Sequence, residues 1–138
     1  MKKYELFTAK EIKPAGWMLR QLEIEANGQS GNLDKMWPDV RDSAWIGGTC
    51  EGWERVPYWL DGFIPLAYLL DSDDMKARAK KYVDAIIERQ CEDGWICPAP
   101  RISALHTISG HFSFFPKLLP FITTAPAMRE SPTLSTAQ

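Results

Sequence analysis

Glu51, Glu54 and Asp61 fall within eleven residues, interleaved with Trp53, Tyr58 and Trp59 in the stretch Glu51-Gly52-Trp53-Glu54-Arg55-Val56-Pro57-Tyr58-Trp59-Leu60-Asp61-Gly62. Carboxylates beside flat rings are the equipment of a sugar site. The rings cover the apolar face of a pyranose or furanose, and the acids accept from hydroxyls or move protons. The candidate substrate-binding residues are therefore Trp53, Glu54, Tyr58, Trp59 and Asp61. Glu54, Trp59 and Asp61 are expected to line a pocket, with Trp53 and Tyr58 as stacking platforms. The same residues also fit a purely structural arrangement. In it the acids decorate a helix N-terminus, Glu54 pairs with Arg55, and Asp61 is satisfied inside a bundle.

The remaining polar clusters carry less chemistry. Asp71-Ser72-Asp73-Asp74 resembles the start of a calcium loop but lacks the central Gly and the Glu at the twelfth position. It is read as a helix cap, with Ser72 or Asp73 at the capping position. Cys91 and Cys97 are too widely spaced for a zinc ribbon, and no His lies near them. His106 and His111 have no acidic neighbour in sequence that would make them ligands or bases. Gly47-Gly48-Thr49 has neither Walker nor dinucleotide-binding spacing, and no Gly-x-Ser-x-Gly elbow occurs. No residue is assigned a catalytic role and none is assigned to a metal.

Helices must position the candidate site. The apolar spacing predicts one over 14–27, with Met18, Leu19, Leu22 and Ala26 as its stripe and Gly28 at its end. Residues 27–50 read as a long connection in which Trp37 and Trp45 are embedded. A second helix is predicted over 57–71. It is apolar nearly all round, so it is expected to be buried, with a kink at Pro65. A third is predicted over 74–90. There Met75, Ala79, Tyr82, Val83, Ile86 and Ile87 recur at helical spacing, and the lysines and Arg78 face out. The short loop between the last two makes an antiparallel hairpin.

Composition sets the outer limits. The 138 residues suit a single domain. Sixteen basic against 18 acidic residues leave −2, which argues against a nucleic-acid binder that must displace counterions. No apolar run approaches the ~18 residues of a membrane span, and no secretory leader is visible at Met1-Lys2-Lys3. Three cysteines fit a reducing compartment, so a cytoplasmic location is expected. The composition also changes along the chain: all six Trp and 17 of the 18 acids precede residue 101. From 101 to 138 the chain holds five Ser, five Thr, four Pro and both His. Pro116, Pro120, Pro126 and Pro132 would break any long helix there.

A series of blocks follows in order: Lys13-Pro14-Ala15-Gly16-Trp17, Gly31-Asn32-Leu33-Asp34, Trp37-Pro38-Asp39-Val40, Gly52-Trp53-Glu54-Arg55, Pro57-Tyr58-Trp59-Leu60-Asp61-Gly62, and Asp93-Gly94-Trp95. Together they resemble the N-terminal segment of the β-L-arabinofuranosidase-like glycoside hydrolases, the group around glycoside hydrolase family 127. The resemblance covers about residues 8–100 and is most specific in the Tyr-Trp-Leu-Asp-Gly block. It implies an all-α fold in which 1–100 is a partial (α/α)6 barrel of helical hairpins. It implies a carbohydrate substrate, with no nucleic-acid or membrane partner. It also implies a zinc site with a nucleophilic Cys in the intact family, far downstream of the matched segment. Cys50, Cys91 and Cys97 match no part of that motif, so no cofactor is expected in this chain.

After Asp93-Gly94-Trp95 the resemblance implies another amphipathic helix, whereas 101–138 reads as an irregular tail. Codon degeneracy in the register one base back permits such a helix over 106–130, so a frameshift near residue 101 is expected, the alternative being a natural, divergent Pro/Ser/Thr tail. Three readings follow. The first is a glycoside hydrolase fragment, inactive alone. The second is a small Trp-rich glycan-binding module without catalysis. The third is a fragment of a polysaccharide lyase-like helical toroid. The absence of His before residue 101 weighs against the lyase.

Overall fold

The computed structural model describes residue 7 and residues 11–98. The tail 101–138, with His106, His111 and the shifted-frame reading, lies outside the described residues. Five α-helices follow in order: α1 Gly16–Asn27, α2 Leu33–Met36, α3 Pro38–Arg41, α4 Arg55–Leu69 and α5 Asp73–Glu88. A 3-10 turn, Ala44–Ile46, precedes α4. Among the described residues no strand forms, and the one β-bridge joins Ser43 to Cys50.

The α4–α5 hairpin is the heart of the molecule. Lys76 lies over the Tyr68 ring, Arg78 over Phe63, and Tyr82 edge-on to Trp59, so the two helices run antiparallel. Apolar periodicity drives the packing. Seven of the fifteen residues of α4 are buried, Phe63 and Ile64 almost completely. On α5, Met75, Ala79, Tyr82, Val83 and Ile86 are buried, while Ile87 stays exposed. Pro65 sits inside α4. The turn between the helices places Asp71 in the left-handed region (φ 55) and closes with Ser72 N–H donating to the Ala67 carbonyl at 3.0 Å. Ser72 Oγ then accepts from Met75 N–H at 3.4 Å, and Asp73 and Asp74 face the positive end of the α5 dipole. The acidic cluster is thus a cap, as its spacing suggested. Lys76 pairs with Asp71 and holds that carboxyl below its ordinary value.

Three features differ from the sequence expectation. The connection 27–50 contains α2, α3 and the 3-10 turn, and it inserts Val40 and Trp45 into the core. Tyr82 Oη donates to the Val40 carbonyl at 3.0 Å, fixing α3 to α5. The expected outward face of α5 does not include Arg78. Its guanidinium turns inward to Asp34 at 2.7 Å and the Gly31 carbonyl at 2.9 Å. A charge brought under the chain needs such partners, since the desolvation would otherwise go uncompensated. Finally, α1 buries none of its residues. Leu22 and Ala26 pack partly against the core, but Met18 is exposed. The helix starts at Gly16 because Ala15 is extended.

Candidate functional site

Glu51 is a structural residue. Its carboxylate accepts from the backbone N–H groups of Trp53 and Glu54, both at 2.8 Å, and of Arg55 at 3.2 Å. These are the donors that a helix leaves without intrahelical partners, and a carboxylate there also meets the positive dipole end. Glu51 therefore starts α4 two residues before Pro57 and orients everything that follows on that helix.

The first turns of α4 present one open groove. Glu54, Arg55, Tyr58, Trp59, Gly62 and Phe63 line one side, with Ser30, Leu33 and Trp37 opposite. The spacing 54, 55, 58, 59, 62 is that of one helix face. Glu54 and Arg55 pair at 3.3 Å near the rim, and the Arg55 guanidinium lies 5.3 Å over the Trp37 ring. Tyr58 is exposed beside them. Gly62 leaves the wall bare: a Cβ there would meet nothing within 4 Å.

The structure distributes the five candidates unevenly. Glu54, Tyr58 and Trp59 border the groove. Trp59 is only 6% exposed, stacked on Phe63 with centroids 4.4 Å apart and edge-on to Tyr82 at 4.8 Å. Its Nε1 donates to the Ser30 carbonyl at 2.9 Å. It forms the groove's wall and leaves no free face for stacking. Trp53 lies outside the groove. It is half-buried against the core, and its carbonyl accepts from Trp45 Nε1 at 3.2 Å. Asp61 is half-buried one residue before Gly62, a step of about 100° around the helix, and is not among the lining residues. Sequence reasoning missed Trp37, Ser30 and Leu33, which reach the groove through tertiary folding. Arg55 was legible as the i−3 neighbour of Tyr58.

Behind the groove, Arg78 stacks 4.9 Å over Phe63 while holding Asp34. The α2 segment is thereby clamped against α5, and the Trp37 side of the groove is kept at its distance from α4. Burial pushes the Tyr82 phenol up to about 12, aided by the nearby Asp34 and Asp42 charges. Cys50, Cys91 and Cys97 are unbridged, and among the described residues no three His, Cys, Asp or Glu side chains gather as a metal site. No helix among the described residues is long and apolar enough to cross a membrane. Comparison with family models, with curated proteins and with solved structures finds no match.

Proposed function

We propose that this chain forms the N-terminal wall of a glycoside hydrolase of the β-L-arabinofuranosidase-like group. In this reading its helices are part of an (α/α)6 barrel, and the α4 groove supplies one side of the carbohydrate site. The ordered blocks of the sequence support the family. The observation that carries the site is the meeting of Glu54, Arg55 and the exposed Tyr58 ring in one open groove facing Trp37. An acid and a guanidinium together accept from and donate to sugar hydroxyls, and a ring beside them covers a sugar's apolar face.

The chain alone is proposed to bind weakly and to hydrolyse nothing. Glycoside cleavage needs two groups flanking the bond, held in one geometry. Glu54 lines the groove, and Asp61, two helical turns or about 10 Å further along α4, does not. The zinc chemistry of the intact family is proposed to belong to a segment outside this one, and among the described residues Cys50, Cys91 and Cys97 join no group of three ligand side chains. The open, one-sided groove also suits a binding module without catalysis. Titrating arabinose oligosaccharides while following tryptophan fluorescence tests for the site. Turnover of nitrophenyl glycosides above background would refute the inactive-fragment reading.

A further inference from the structure

On the side away from the core, α1 carries an apolar stripe with a charge pattern of its own. Trp17 is 79% exposed and Ile24 55% exposed, seven residues apart and so on one line along the helix. Arg20 and Glu23 flank that line on the same side, and neither has an ion-pair partner among the described residues. The charges are also arranged against the helix. Its last turn holds no basic residue, while Glu23 and Glu25 lie near its negative end.

We infer that this face binds a second copy of the chain, α1 against α1 in antiparallel orientation about a two-fold axis between Arg20 and Gln21. Three relationships select this occupant. About that axis Trp17 stands opposite the partner's Ile24, and the reverse, so the apolar stripe is self-complementary. On the flank, Arg20 lies two residues along the axis, about 3 Å, from the partner's Glu23, and the contact occurs twice. The positive side chain so delivered offsets the acids at each α1 C-terminus. Shape agrees with charge. A hollow lined by Arg20, Glu23, Ile24, Asn27 and Gly28 lies where the stripe ends. Helical side chains lean toward their own N-terminus, so the partner's Trp17 tilts over Ile24 toward Gly28, where no side chain stands. One helix pair buries less than a standard interface of roughly 1,600 Å², so the dimer is weak and reversible. The inference is independent of the carbohydrate reading.

Sedimentation of the full chain over a concentration series from about 5 to 300 μM tests it. The expected result is a monomer–dimer equilibrium with a dissociation constant on the order of tens of micromolar, as befits a small contact. Arg20→Glu or Glu23→Arg alone weakens it at least tenfold. The combined swap restores it to within about threefold, and Ile24→Glu abolishes it. All three positions are exposed, and far-UV circular dichroism checks that each variant is folded. Trp17→Gln provides a second stripe variant, expected to weaken the dimer at least tenfold. A chain that stays monomeric throughout overturns the inference, including one whose Trp17 is shielded by another part of the same chain. A dimer indifferent to Ile24→Glu, or a charge swap that fails to restore it, does the same.

Discussion

The indole N–H of Trp59 donates to the Ser30 carbonyl across 2.9 Å, tying α4 to a loop 29 residues earlier in the chain. The bond spans the base of the groove, so one residue sets both the depth of the groove and the seating of the α1–α2 connection. Trp59→Phe keeps the ring stack but leaves the carbonyl without its donor. It is expected to lower unfolding stability by about 1–3 kcal/mol. Trp59→Ala also opens a cavity beside Phe63 and is expected to cost about 3–5 kcal/mol. Urea titration followed by circular dichroism measures both.

Arg78 and Asp34 form the best-shielded ion pair among the described residues, with side chains 18% and 8% exposed. Removing one partner strands the other charge. Arg78→Met is expected to cost about 3–5 kcal/mol, whereas the double change Arg78→Met with Asp34→Leu costs distinctly less than the two single changes summed. A double-mutant cycle in urea decides this, and additivity of the two changes would show that the pair is not coupled.

Glu51 and Glu54 are both acids at the start of α4 but hold different positions. Glu51→Ala removes the acceptor for three backbone N–H groups and is expected to lower stability by about 1–2 kcal/mol. Glu54→Gln removes only a rim pair with Arg55, so stability is expected to change by less than about 0.5 kcal/mol. Thermal melts of the two variants side by side check the contrast.

Tyr82 makes stability fall in alkali. Its phenol is raised from the ordinary value near 10 to about 12 in the folded chain, first by burial and then by the Asp34 and Asp42 charges. Between those values the unfolded chain has lost the proton and the folded chain has kept it, so stability declines as pH rises. The loss attributable to this group is on the order of 2 kcal/mol and is complete only above pH 12. Tyr82→Phe is expected to be about 1 kcal/mol less stable at pH 8, where the bond to Val40 is lost, but to fall less steeply from pH 8 to pH 11. Parallel slopes for the two proteins would contradict the assignment.

The three long helices were legible because their apolar spacing repeats over several turns. Met75, Ala79, Tyr82, Val83 and Ile86 all reach the core as spaced. The Ser72 cap was legible from its residue type. The short helices α2 and α3, four residues each, offer too few turns for a period to emerge. The inward turn of Arg78 rests on Asp34, 44 residues away, and no local pattern encodes that meeting. Of the candidate residues, Glu54 and Tyr58 were singled out by the density of acids and rings, and both line the groove. Trp59 lines the groove as expected of it, but its neighbours in sequence do not reveal that Phe63 and Tyr82 cover its ring. Trp37 entered the groove only through the fold.

The groove's affinity for sugar tests the central claim most directly. In a calorimetric titration of the purified chain with arabinofuranosyl oligosaccharides, weak saturable binding is expected, with a dissociation constant on the order of millimolar. Tyr58→Ala and Glu54→Gln are each expected to weaken it several-fold without unfolding the chain, whereas Trp53→Phe, outside the groove, leaves it unchanged. Gly62→Ala, which places a methyl on the bare wall, is expected to weaken binding while raising helix stability by about 0.5–1 kcal/mol. Absence of binding, or binding that survives Tyr58→Ala and Glu54→Gln, would contradict the assignment of this groove to carbohydrate.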